Sequence, residues 1–311
     1  MANPELFGVD RAAPSGAAEP GRVLPFMRDL VALAKPRITL MVLLTGAAGM
    51  RLAPGRVGAR SVLLWLVGTA LIVGSANSLN MWWERDVDAQ MVRTRNRPLP
   101  SGRMSAEVAL AFGLTLAVVS APMLFAVNLA TGLLGLIALL TYVVVYTPLK
   151  RHTHLALLVG AVPGAIPPLL GWSAATGTVG AGGLLLFVVL FLWQVPHFVA
   201  IAIFRAEDYA RAGLQVVSVQ RGEREARTMI ALYAVLLVAA SLLFLPLGLA
   251  GQRYAAIATV LGAAFLALCL RGIRVQTARF DGKRWARRVF AYSIPYLTLL
   301  LVALVSDRAG P

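Results

Sequence analysis

The sequence predicts an all-α protein: a polytopic bundle of nine transmembrane helices. Two observations carry this. Of 311 residues, 59% are hydrophobic and only 14% charged, against about 25% charged in an ordinary soluble domain. The apolar residues also fall in blocks of about 18 to 24, the length that crosses a bilayer core as a helix. A water-soluble enzyme is excluded on these grounds. The formal charge of +15 would raise nucleic-acid binding in a soluble chain. Here the basic residues sit in loops between spans, and no nucleic-acid partner is expected. The single cysteine, Cys269, lies inside an apolar block, which excludes disulfide frameworks and Cys-rich metal sites.

Residues 1–25 are rich in Pro, Gly and Ala, with mixed charges and no apolar core. They read as a disordered cytosolic tail, followed by one integral-membrane domain over 26–311. Nine spans are expected near 36–53, 61–83, 105–125, 128–147, 155–174, 181–204, 228–248, 254–271 and 289–306. Of the 29 Lys and Arg residues, 24 fall on one side of this arrangement. The positive-inside rule places that side, with the N-terminus, in the cytoplasm, or in the matrix for a mitochondrial inner membrane. The C-terminus then falls on the opposite side, periplasmic in a bacterial plasma membrane. Lysine is rare, occurring only at Lys35, Lys150 and Lys283, which reads as compositional bias rather than function.

A first polar constellation ends span 2: Asn77-Ser-Leu-Asn80-Met-Trp-Trp-Glu84-Arg-Asp86-Val-Asp88. If the helix continues, Asn77, Asn80, Glu84 and Asp88 occupy i, i+3, i+7 and i+11, a stripe roughly 80° wide. Asp86 points away. Polar groups on an inward-facing membrane helix end are functional candidates, because hydrocarbon offers them no partners. Carboxylates and amide oxygens on one face form a hard-oxygen site of the kind that holds Mg²⁺ together with substrate phosphates. Arg93 and Arg97 follow at once, four apart and ahead of Pro98. Guanidinium groups beside a magnesium-type cluster suit a leaving diphosphate.

A second constellation lies in span 6. Trp193-Gln194-Val195-Pro196-His197 is expected to interrupt that span, and Arg205 and Asp208 end it. His197, Arg205 and Asp208 at i, i+8 and i+11 would share a stripe. Lys150 and His152, after Tyr146-Thr147-Pro148, stand on the same side and supply further cationic groups.

The pattern Asn80-x-x-x-Glu84-x-x-x-Asp88, then Arg93-x-x-x-Arg97-Pro98 and a polar site four spans later, resembles the UbiA superfamily of intramembrane prenyltransferases. The carrying segments lie at 77–102, 146–153, 160–172, 193–213 and 292–302. His197, Arg205 and Asp208 stand where many members have a second aspartate-rich motif, which is similar to the haem-modifying branch. The resemblance implies the UbiA-type helical fold and transfer of a farnesyl group from farnesyl diphosphate to a vinyl group of haem b, with water adding a hydroxyl to give haem O. It implies Asn80, Glu84 and Asp88 as Mg²⁺ ligands and Asn77, Arg93, Arg97 and Lys150 as catalytic groups at the diphosphate. Arg205, Asp208, Tyr146 and His197 would contact substrate, His197 as haem ligand or porphyrin support. Haem b is then a substrate rather than a cofactor. The bilayer delivers both substrates, and candidate protein partners are a haem A synthase or terminal oxidase assembly.

Two other functions compete. A related enzyme could prenylate a quinone precursor or a chlorophyll-type acceptor. A secondary transporter would place its charges near mid-membrane, whereas the polar clusters here sit at the cytoplasmic ends of the spans.

Overall fold

The computed structural model describes residues 20–274 and 280–307. These form helices α1 (Pro20–Ala34), α2 (Pro36–Leu52), α3 (Ala59–Gln90), α4 (Ala106–Val127), α5 (Leu129–Leu140), α6 (Thr147–Leu149), α7 (Ala156–Thr176), α8 (Ala181–Phe204), α9 (Ala206–Arg211), α10 (Val217–Gln220), α11 (Glu223–Leu242), α12 (Gln252–Arg274) and α13 (Gly282–Ser306). Among the described residues there is no strand. Among the described residues eight segments are long and apolar enough to cross a membrane, and there are nine if the pair α1 and α2, bent by 42° at Lys35, is one span. A helix lies at each of the nine expected positions, the first of them long enough to span only together with α1. Residues 1–19 of the expected tail lie outside the described residues, and α1 begins at Pro20, within that expected segment.

Local chemistry sets the element ends. Ser105 Oγ accepts from Val108 N at the start of α4, and Asp281 accepts from Arg284 N at the start of α13. Asn128 alone separates α4 from α5, and its side chain accepts from Thr131 N at 2.9 Å. Each satisfies an amide that the first helical turn leaves unpaired.

Helix α3 packs on α4, and α2 on α7. Helix α7 joins α8, which contacts α11 and α13, while α12 closes the set against α11 and α13. The α2–α7 crossing is backbone on backbone. A Cβ added at Gly171 would stand 1.8 Å from Gly46 O, and one at Gly49 would stand 1.9 Å from Pro168 O. Small residues let membrane helices approach this closely, where packing rather than a hydrophobic gradient holds them together.

Pro196 does not interrupt the sixth span, contrary to expectation. Helix α8 runs unbroken from Ala181 to Phe204 through it. A proline removes a single ladder bond, and here Val195, Pro196, Val199 and Ala200 are buried against the rest of the bundle. The break comes instead at Arg205 (φ −114°, ψ 15°), between α8 and α9. The irregular turn of the bundle lies elsewhere. Residues Thr141–Tyr146 form a π-helix at the end of α5. Pro148 cannot donate to a carbonyl and crowds the preceding turn, and Thr147 Oγ1 donates instead to Tyr142 O at 2.8 Å.

Candidate active site

Helix α3 is 32 residues long, about 48 Å at about 1.5 Å per residue. It outlasts the hydrocarbon core, so its final turns reach the interface carrying the polar stripe. Asn77, Asn80, Glu84 and Asp88 are all buried, at 4%, 4%, 3% and 4% exposure. The Asp86 side chain is 77% exposed. The helical spacing therefore holds to the end of α3.

Three segments distant in sequence meet on this stripe. Asn80 Nδ2 donates to Glu84 Oε2 at 3.0 Å and to Thr147 Oγ1 at 3.1 Å, so its carbonyl oxygen is the atom that could accept a cation. Lys150 Nζ pairs with Glu84 Oε1, and Arg97 Nη1 donates to Asp88 Oδ2 at 2.6 Å. Thr94 Oγ1 donates to Asp88 O at 2.8 Å, folding the arginine segment back over the helix end. That segment is a run of hydrogen-bonded turns rather than a helix. Arg97 is thus half-buried at the stripe while Arg93 is exposed. Asn77 donates to Val73 O within its own helix.

The loop after α8 closes the other side. Val87 and Met91 form a small apolar core with Ala212 and Leu214, edged by Tyr209, and Gln215 N donates to Lys150 O at 3.1 Å. Asp208 is buried and accepts from Arg211 Nη2 at 3.0 Å. Burial pushes the Tyr209 phenol up from its ordinary value, against the pull of Arg93 and Arg205 nearby. It is therefore a neutral donor beside Arg93. Tyr146 lies in the field of Tyr209 and Arg93, with Lys150 Nζ 5.7 Å from its ring centre. Gly160 on α7 makes room for that ring, since a Cβ there would stand 2.6 Å from it. Burial, with Lys35 and Arg151 close by, pushes the Lys150 ammonium down from its ordinary value.

His197 stands apart from these groups. Its Nδ1 lies 2.7 Å from Ser293 Oγ on α13, and its ring stacks on Trp193 at 4.6 Å and meets Phe290 at 4.7 Å. The expected stripe with Arg205 and Asp208 does not form, because the helix ends at Phe204. Arg205 is exposed, whereas Asp208 turns inward on α9.

Lys35 is the group that sequence reading passed over. It is half-buried, within the field of Asp88, Arg93 and Arg97. Its φ of 48° makes it the one non-glycine in the left-handed region among the described residues. Such strain concentrates at functional sites. Its rarity was a usable signal: two of the chain's three lysines border this stripe. Thr147 and Tyr209 were also unassigned, and only the contacts just described reveal them.

The donor set suits a hard divalent cation. It offers two carboxylates and an amide oxygen, buried and on one helix face, with cations around them for phosphate oxygens. Among the described residues no three His, Cys, Asp or Glu side chains converge, so substrate oxygens would have to complete the coordination.

Residues 42–306 match the UbiA prenyltransferase family. A protein named protoheme IX farnesyltransferase from Anaeromyxobacter sp. is 50% identical over 294 residues, covering 94% of this chain and 97% of its own. One of the same name from Myxococcus xanthus is 52% identical over 281 residues, covering 90% and 94%. A UbiA homolog from Archaeoglobus fulgidus, solved bound to GPP and Mg²⁺, shares the fold with TM-score 0.62 at 17% identity, covering 89% of this chain and 99% of its own. A structure described as digeranylgeranylglyceryl phosphate synthase in membranes reaches TM-score 0.78 at 16% identity, covering 90% and 98%. With a polar stripe of the expected spacing buried at one end of the bundle, and with these matches along nearly all of its length, this chain belongs to the UbiA prenyltransferase family.

Proposed function

We propose that this protein farnesylates haem b, as the names of its half-identical relatives indicate for those proteins. The farnesyl C1–oxygen bond breaks and diphosphate leaves. C1 bonds to the outer carbon of a porphyrin vinyl group, and water adds to the inner carbon with loss of a proton, giving haem O. The observation that carries the diphosphate half is the buried stripe Asn80, Glu84 and Asp88 ringed by Lys35, Arg97 and Lys150. Asn80, Glu84 and Asp88 would hold Mg²⁺, which when bound neutralises charge developing on the departing diphosphate. Arg93, Arg97, Lys150 and Lys35 bind its oxygens, Asn77 supports the stripe from one turn deeper, and Tyr209 stands near Arg93 and Arg205. The apolar interior of the bundle beside the stripe would keep water from the allylic cation until the vinyl group attacks.

On the acceptor side, His197 has spent Nδ1 on Ser293, leaving Nε2 for iron or for orienting the porphyrin. The charge bias supports a cytoplasmic N-terminus with this site on the cytoplasmic side, and the bacterial sources of the half-identical relatives support a bacterial plasma membrane. A haem A synthase or terminal oxidase assembly would then receive the product. Purified protein incubated with farnesyl diphosphate and haem b, in parallel with an aromatic acid and a longer prenyl diphosphate, tests the assignment. Haem O is the expected product, and prenylation of the aromatic acid alone would overturn it.

Two further outcomes follow here. Arg93→Ala and Arg97→Ala should each weaken inhibition by pyrophosphate by about 1.5–3 kcal/mol, the worth of one charged hydrogen bond, with lysine rescuing only in part. Unchanged inhibition constants would remove them from the diphosphate site. His197→Ala should abolish the haem-binding absorbance change and leave farnesyl diphosphate affinity nearly constant. A haem spectrum and affinity like the unmodified protein's would confine His197 to packing against Ser293 and Phe290.

A further inference from the structure

The two stripe carboxylates each hold a cation that arrives from outside α3. Glu84 pairs with Lys150, and Asp88 with Arg97 at 2.6 Å. Neither pair is a surface bridge: the carboxylate side chains are 4% and 6% exposed and their cations 22% and 23%. In the reading above, these four side chains have different partners when substrate is bound, carboxylates on the metal and cations on diphosphate.

Charge arithmetic then restricts the order of arrival. The four groups sum to zero. A divalent cation arriving alone must displace Lys150 and Arg97 from their carboxylates, and the cluster becomes strongly positive, with Lys35 already close by. In a poorly solvated site that excess has no compensation. Diphosphate arriving alone draws the two cations away and leaves two buried carboxylates uncovered. Only metal and diphosphate together give every group a partner, and cooperativity between them is reciprocal by linkage.

We infer that Lys150 and Arg97 are resting counter-ions of Glu84 and Asp88, handed over to diphosphate oxygens on binding, so that the protein takes its prenyl donor as the preformed metal–diphosphate complex and rejects either component alone. This deepens the metal–diphosphate reading of the site and rests on it.

Isothermal titration of the purified full chain with Mn²⁺ alone, pyrophosphate alone and the preformed Mn²⁺–pyrophosphate complex tests it without turnover. The complex should bind at least tenfold tighter than either component. Lys150→Met, which leaves Glu84 without its counter-ion, should bind Mn²⁺ alone at least tenfold tighter than the unmodified protein does, and the complex less tightly. Mn²⁺ alone binding the unmodified protein as tightly as the complex does would overturn the hand-over while keeping the metal site. No binding in any arm would overturn the metal site as well. The comparison of the three ligands on the unmodified protein stands even if Lys150→Met fails to fold.

Discussion

Asp88→Asn is expected to lower turnover by about a thousandfold or more, with the protein still inserted and folded. A bound metal contributes several kcal/mol of charge stabilisation to a leaving group, and each ~1.36 kcal/mol is a factor of ten in rate. Asparagine matches the size of aspartate and keeps an oxygen for Arg97, which donates to Asp88 Oδ2 at 2.6 Å, so packing at the end of α3 is preserved. What is lost is the charge. Asp86→Asn, two residues away, is the control. Its side chain is 77% exposed and its carboxylate lies 3.9 Å from Arg85, so activity should stay near that of the unmodified protein. Initial rates of haem O formation against Mg²⁺ concentration, with thermal unfolding of each variant in detergent, make the comparison. Mg²⁺-dependent activity near the unmodified level in Asp88→Asn would remove it from the metal site, and equal loss in both variants would mean that helix face does not matter.

The largest structural effect is expected from Gly171→Ala. Its new Cβ would stand 1.8 Å from Gly46 O and 2.9 Å from Met50 N. These are backbone atoms, which no rotamer change can move aside. Helices α2 and α7 must separate, and overpacking of this kind costs about 1–3 kcal/mol, occasionally more. The consequence reaches the site, because α2 begins directly after Lys35 and α7 seats Tyr146 at Gly160. Gly171→Ala should therefore lower the unfolding temperature and weaken pyrophosphate inhibition together. Gly177→Ala, at the end of the same helix with open space around its Cβ position but φ of +73°, should show the backbone penalty alone, about 1 kcal/mol, with inhibition unchanged. Unaltered unfolding in Gly171→Ala would mean the crossing is looser than described.

The span pattern was legible because solvent dictates it: a helix facing lipid must be apolar along its whole crossing. The stripe on α3 was legible for a related reason. Asn77, Asn80, Glu84 and Asp88 recur at helical spacing and α3 is regular to Gln90, so angular arithmetic places them correctly and turns Asp86 outward. The same arithmetic failed at Arg205, because α8 stops at Phe204, and the expected interruption at Pro196 was absorbed by packing. Neither outcome is local. Whether a helix tolerates a proline or ends one residue later depends on the surface it packs against, which lies far away in sequence.

By itself, the sequence determined the membrane class, the number of spans, the charge asymmetry and the face of α3 that carries the chemistry, since each follows from periodicity and solvation along one segment. Only the tertiary structure decided which cation sits on which carboxylate. Lys150 reaches Glu84 and Thr147 reaches Asn80 across 66 and 67 residues of chain, and Lys35, which precedes α2, comes within the field of Asp88 near the end of α3. It also turned His197 toward Ser293, 96 residues away. The physical reason is that a charged side chain in a poorly solvated bundle takes whatever partner folding brings within reach. That choice is made by close backbone crossings such as Gly46 with Gly171, whose effect is not readable from either segment alone.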